Sequence, residues 1–389
     1  MSRLDELIQE FCPDGVEHKE LQEILKIKNG SDYKAYGEGD IPVYGSGGIM
    51  TYIDRYVYNK PSVLIPRKGS IDKLYYVDTP FWNVDTIFYT EINTDLAMPR
   101  YVYHCLLREH LEQYNTAGGV PSLTQKVLNK IQIPLPPLEV QSEIVRILDN
   151  FTELTAELTA ELTARKKQYE FYRDKLLTFG DVRGGATSDV VWRTLAEIAD
   201  ISTGSSNTDD AVEGGCYPFF VRSQQPLAKD EYEYDEEAII TAGDGVGVGK
   251  VFHYINGKYA LHQRAYRIHP ATDGLLGKYL YHYFVATFPK YIGQQMYQGS
   301  VPSIRRPMLN KFQVAIPSLD VQKRIVNVLD NFDAICSDLK IGLPAEIEAR
   351  QKQYEFYRDA LLTYAATGKT ILTDRQTDRQ TDRQTDRQT

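Results

Sequence analysis

The chain has 389 residues, 42% of them apolar, and its 53 acidic and 44 basic side chains give a formal net charge of −9. That length provides for two or three domains with their own cores. The lack of any run of eighteen apolar residues excludes a membrane-spanning helix, and the acidic amphipathic start MSRLDELIQEF is unlike a signal peptide. Cys12, Cys105, Cys216 and Cys336 lie far apart without a CxxC pair, which argues against a zinc site or a disulfide scaffold and for a reduced, cytoplasmic setting. The acidic balance lacks the basic footprint usual in a nucleic-acid binder, so such a role would need a local basic surface or help from partners.

Residues 1–132 form a first lobe rich in Tyr, Gly and β-branched runs, with Ser62-Val-Leu-Ile65 reading as a strand. Residues 133–181 form a helical connector. Pro134, Pro136 and Pro137 precede it, and Ile144, Ile147, Leu148, Phe151, Leu154, Leu158 and Leu162 recur at helical spacing before Gly180. About forty helical residues would span roughly 60 Å, with a bend expected near Asp149-Asn150. Residues 182–313 form a second lobe with a strand at Ala238-Ile-Ile-Thr241, and residues 314–368 a second connector, expected to break into two helices at Gly342 and Pro344. The predicted fold class is therefore mixed α/β, two lobes on long helical spacers. Residues 369–389 form a low-complexity tail, expected to be disordered, in which Thr-Asp-Arg-Gln runs four times from residue 373. In codons that period has one solution, a tandem ACAG array, which predicts slippage-prone DNA at this point.

The chain is written twice. Residues 133–151, IPLPPLEVQSEIVRILDNF, share ten of nineteen positions with residues 314–332, VAIPSLDVQKRIVNVLDNF. RKKQYEFYRDKLLTF at 165–179 shares twelve of fifteen with RQKQYEFYRDALLTY at 350–364. Weaker matches precede each block: Tyr101-Val-Tyr-His104 with Tyr279-Leu-Tyr-His282, Val120-Pro-Ser122 with Val301-Pro-Ser303, and Leu128-Asn-Lys130 with Leu309-Asn-Lys311. Residues 30–100 and 202–270 share almost nothing that aligns. The two lobes have diverged and the two connectors have not.

Thr155-Ala-Glu-Leu158 repeats at Thr159-Ala-Glu-Leu162 after a degenerate Thr152-Glu-Leu154. Together with the duplicated IP-x-P-x-L-E/D-x-Q and QYEFYRD-x-LL segments, this pattern resembles the specificity subunits of Type I restriction–modification systems, in the branch with Thr-Ala-Glu-Leu spacers, over about residues 15–366. The resemblance implies that each variable lobe is a target-recognition domain reading one half of a split, asymmetric site in double-stranded DNA. It also implies that the shared helices pack together as a coiled-coil spacer and dock two modification subunits, with restriction (motor-nuclease) subunits joining for cleavage. AdoMet, ATP and Mg2+ would then belong to those partners and none to this chain. Leu154, Leu158 and Leu162, with Tyr169, Phe171, Tyr172, Tyr354, Phe356 and Tyr357, are the candidates for spacer packing and docking. Four helical residues add about 6 Å and turn the helix about 40° beyond a full revolution, close to the roughly 34–36° twist of one DNA base pair.

Catalytic motifs are missing. Gly243-Asp-Gly-Val-Gly-Val-Gly-Lys250 breaks both phosphate-loop patterns and reads as a glycine-rich turn after a strand. His104 and His282, equivalent in the repeat, read as structural. The chain is therefore expected not to be an enzyme. Base readout needs side chains that reach groove edges. Candidates in the first lobe are Arg67, Lys68, Ser70 and Lys73, with Ser122, Thr124, Gln125 and Lys126. In the second lobe they are Arg222, Ser223, Gln224 and Gln225, then Gln263 and Arg264, then Arg305 and Arg306. Two rival readings stand beside DNA recognition: a coiled-coil protein adaptor without DNA readout, which the acidic charge favours, and a self-contained enzyme with unrecognised motifs.

Overall fold

A computed structural model describes residues 2–115, 118–179, 190–295, 302–338 and 340–369. The tail repeat and Gly180 lie outside the described residues. Among the described residues, those up to Leu158 together with those from Glu346 to Lys369 make one compact unit, and those between Thr159 and Ala345 make the other. The boundary therefore runs through the shared segments.

In the first unit an antiparallel sheet takes the order Leu25–Lys28, Ile87–Ile92, Ser62–Pro66, Tyr75–Val77. A second sheet joins the hairpin Ile41–Gly45 and Gly48–Ile53 to the short parallel strand Trp82–Asn83. In the second unit the corresponding strands form one six-stranded sheet, because Phe252–Leu261 pairs with Tyr234–Ala242 along one edge and with Tyr217–Phe220 along the other. The first unit splits that long strand into Tyr75–Val77 and Trp82–Asn83, with Pro80, which has no N–H for a ladder, between them. Each unit also closes with a two-stranded ribbon that ties its start to the strand before its connector: His18–Glu20 with Gln132–Pro134, and Val191–Thr194 with Gln313–Ile316.

The first connector is one helix, Leu138–Leu177, forty residues long and uninterrupted through Asp149-Asn150. The second breaks where Gly342 and Pro344 predict, into Leu319–Ser337 and Leu343–Thr367. Pro344 sits in the first turn of the later helix, where its missing N–H costs no intrahelical bond.

Each lobe sheet is covered by a helix carrying the Tyr-x-Tyr-His segment, Pro99–Arg108 or Gly277–Gly293. The core of the first unit then continues through Ile144 and Leu148 into Leu361, Leu362 and Ala365 from the end of the chain. The core of the second continues through Ile325 and Leu329 into Leu177. The shared helix ends are thus exchanged. Tyr357 stacks on Phe151 with ring centroids 5.1 Å apart, and Tyr172 stacks on Phe332 at 5.9 Å. Both QYEFYRD segments leave their own connector's first half and pack on the first half of the other.

The repeated glutamine of the L-E/D-x-Q segment explains why that segment resisted divergence within this chain. Buried Gln141 accepts from the Met98 amide at 2.8 Å and donates to the Leu96 and Pro136 carbonyls at 2.9 and 2.8 Å. Gln322 accepts from the Leu276 amide at 2.9 Å and donates to the Gly274 and Pro317 carbonyls at 2.8 Å each. One side chain satisfies backbone groups at the start of the cover helix and at the connector's proline turn, groups that would be costly to bury unpaired. Tyr101 and Tyr279 add a second clasp, donating to the carbonyls of Pro134 and Ala315 at 2.9 and 2.6 Å.

Candidate nucleic-acid interface

In the first lobe, segments distant in sequence meet at the end of the strand Ser62–Pro66. The Arg67 amide donates to the Thr86 carbonyl at 2.8 Å, and the Arg67 carbonyl accepts from Leu123 at 2.9 Å. Lys68 bridges to Ser122, and the Gly69 amide donates to the Pro121 carbonyl at 3.0 Å. Gly69 takes a left-handed φ of +82°, which turns the chain into the Ser70–Lys73 bend. The hairpin turn at Ser46 joins the group: its amide donates to the Thr86 hydroxyl at 3.4 Å, and its carbonyl accepts from the Tyr75 hydroxyl at 3.3 Å. Arg67, Lys68, Ser70 and Lys73 therefore share a loop that Ser122 braces.

The second lobe repeats this layout with different side chains. The Gly243 amide donates to the Arg264 carbonyl at 2.8 Å, and the Gly243 carbonyl accepts from Ile304 at 2.7 Å. Asp244 bridges to Ser303, and the Gly245 amide, at φ +79°, donates to the Pro302 carbonyl at 2.9 Å. Hence Arg67 corresponds to Gly243, Lys68 to Asp244, Thr86 to Arg264 and Ser122 to Ser303. Asp244 gathers the candidates here: its Oδ1 accepts from Arg222 Nη1 at 2.5 Å and its Oδ2 from Arg264 Nη1 at 3.4 Å. Ser223, Gln224 and Gln225 are exposed on the bend following Arg222, and Gln263 donates to Asn207.

Other candidates lie beside these loops. Thr124 caps the short helix Gln125–Leu128 by accepting from the Val127 amide, and Gln125 donates to Asn29 at 3.3 Å. Lys126 lines a separate groove with Glu109, Tyr114 and Lys130. Arg305 precedes the helix Arg306–Asn310. Arg306 stands near Asp200, whose carboxyl is held below its ordinary value chiefly by the hydrogen bond from Arg267. Sequence reasoning misses Ser46, Thr86 and Asp244. The signal for Ser46 is the weak correspondence of Ile41-Pro-Val-Tyr44 with Tyr217-Pro-Phe-Phe220.

The duplicated histidines do structural work. His104 is fully buried, 3.2 Å from Asp149 through Nε2 and 2.8 Å from the Tyr354 hydroxyl through Nδ1. His282 lies 2.7 Å from Asp330. Burial pushes both imidazoles below their ordinary pKa against the opposing pull of these carboxylates. Among the described residues no cluster of three His, Cys, Asp or Glu side chains is suited to a metal ion. On the connectors, Tyr169 and Tyr354 pack inward, Phe171 is 61% exposed, and Tyr172, Phe356 and Leu154 are partly exposed. Leu158, Leu162 and Tyr357 are half-buried.

Comparison with known proteins agrees with this duplicated layout. The family model of the Type I restriction modification DNA specificity domain matches residues 13–165 and 187–349. A Type I restriction enzyme specificity subunit of Haemophilus influenzae is 31% identical over 378 residues, covering 90% of this chain and 96% of the relative. The EcoR124I/EcoR124II specificity subunit of Escherichia coli is 34% identical over 305 residues, covering 71% of this chain and 73% of the relative. The crystal structure of a Type I restriction–modification S subunit from Mycoplasma genitalium shares the fold, with a TM-score of 0.59 at 15% identity over 90% of this chain and 96% of that one. These matches favour DNA recognition over the adaptor reading, and the chain belongs to the family of Type I restriction–modification DNA specificity subunits.

Proposed function

We propose that each lobe reads one half of a bipartite DNA site through the loop cluster at the end of its central strand, and that the shared helices set the gap and dock modification subunits. The observation that carries this reading is the matched convergence in two lobes of nearly unrelated sequence. Lys68 with Ser122 and Asp244 with Ser303 occupy the same backbone positions, so one scaffold presents two sets of side chains. That is the arrangement two different half-sites require.

The basic side chains Arg67, Lys68 and Lys73 give the first cluster a local positive character despite the net charge of −9, suited to phosphate and base-edge contact. Phe171 and Phe356, equivalent and exposed on the exchanged helix ends, suit the docking of two identical partner subunits. AdoMet, ATP and Mg2+ belong to those partners, and this chain supplies recognition without catalysis. In the assembled complex, replacing Arg67 and Lys68 by Ala should weaken duplex binding. Its dependence on salt should flatten by about one unit of slope for each phosphate no longer neutralised. Unchanged affinity and slope would count against this interface, and methyl transfer or ATP hydrolysis by the purified chain alone would contradict the non-catalytic role.

A further inference from the structure

The cluster around Asp244 differs from its counterpart in the first lobe in a way that bears on sequence choice. Arg222 and Arg264 approach one carboxylate through its two different oxygens, and each contributes only Nη1 to it. The contacts differ in closeness, 2.5 Å for Arg222 and 3.4 Å for Arg264, and the Arg264 side chain is 59% exposed against 39% for Arg222. Arg222 therefore anchors Asp244, and Arg264, the more exposed of the two, has no protein partner for Nε and Nη2 among the described residues. Behind them, buried His262 accepts the Arg264 amide at 3.0 Å through Nδ1. Burial and the two nearby guanidinium groups push its imidazole below the ordinary pKa, and through this Nδ1 contact His262 fixes the backbone that carries Arg264. The first lobe has no such fork: Thr86 stands in place of Arg264, with its hydroxyl turned inward to Ser46, and Lys68 stands in place of Asp244.

A planar guanidinium with a free edge matches the paired acceptors N7 and O6 that guanine presents in the major groove. A carboxylate that restrains it reduces the rotamer freedom lost on binding. The same carboxylate disfavours simple phosphate binding, because it offsets one of the two positive charges and repels the backbone. Deepening the half-site reading proposed above, on which it rests, we infer that Arg264 selects a guanine at one position of the half-site read by the second lobe, with Asp244 and Arg222 positioning it.

The test is methylation mapping of host DNA with the assembled complex containing the wild-type chain, Arg264→Ala, Arg264→Lys or Asp244→Asn. A parallel swap of residues 182–313 for a relative's lobe assigns which half-site belongs to this lobe. The expected result is a guanine in that half-site whose discrimination falls about tenfold or more in Arg264→Ala. Arg264→Lys, a point charge without the fork, should relax the same position, Asp244→Asn should relax it less, and the other half-site should be untouched. If the swap changes one half-site but Arg264→Ala leaves every position intact, the inference is overturned and the half-site reading survives. Uniform weakening on all sequences, with the salt slope reduced by about one, would make Arg264 a phosphate-binding residue and also overturn it. A swap that leaves both half-sites unchanged would overturn both.

Discussion

Leu177 and its repeat partner Leu362 offer a direct test of the exchanged helix ends. Leu177 lies near the end of the first connector, whose first half contributes Ile144 and Leu148 to the core of the first unit. In the structure it is 2% exposed in the core with Ile325, Leu329 and Tyr279 of the second unit, while Leu362, 0% exposed, is in the core with Val102, Ile144 and Leu148 of the first. Truncating a fully buried leucine to alanine costs about 2–5 kcal/mol. At about 1.4 kcal/mol per tenfold, opening of the affected unit should become roughly thirty- to a few-thousand-fold more frequent. Hydrogen exchange reports such opening segment by segment. Leu177→Ala should speed exchange in Tyr234–Ala242 and leave Ser62–Pro66 protected, and Leu362→Ala should do the reverse. If Leu177→Ala loosens Ser62–Pro66, or if each variant loosens both lobes equally, the exchange of helix ends is wrong.

The spacer helix and the buried histidines carry two further expectations. Deleting Thr159–Leu162 removes four residues from the forty-residue helix, about 6 Å and 40°, and methylation mapping should show a changed gap with both half-sites kept; an unaltered gap or an altered half-site would contradict the spacer role. Because burial lowers the folded pKa of His104 and His282 from an ordinary 6.5, the unfolded chain binds more protons just below that value. Their contribution is then full above about pH 6.5 and is lost as pH falls through the folded values. The urea midpoint should drop between pH 7 and 5, with a smaller drop when both are replaced by Gln; a flat wild-type midpoint would refute this.

The connectors are legible in the sequence because their signals are local. A 3.6-residue apolar period, a proline turn before the helix and a Gly-Pro break each act within a few residues, and the duplication supplies a second reading of the same signals. The exchange of helix ends is not legible, since stacking of Phe151 on Tyr357 depends on tertiary packing between the first connector and the end of the second. Within the lobes, correspondence survives in backbone hydrogen bonds and has left the side chains: the Arg67 and Gly243 amides donate to the carbonyls of Thr86 and Arg264 without a shared residue type. Residues 243–250 read as a glycine turn from sequence, and Gly245 at φ +79° shows why glycine is needed there. The role of Asp244 is hidden because its partners Arg222 and Arg264 lie 22 and 20 residues away in the chain on either side.

If two separable lobes each read one half of a DNA site, exchanging one lobe must change one half-site alone. Residues 15–132 can be replaced by the corresponding lobe of a relative with a different methylated motif, and host methylation mapped with the assembled complex. One half-site should take the donor's sequence while the other stays as it was; a motif that changes in both halves, or in neither, would contradict separate readout by the two lobes.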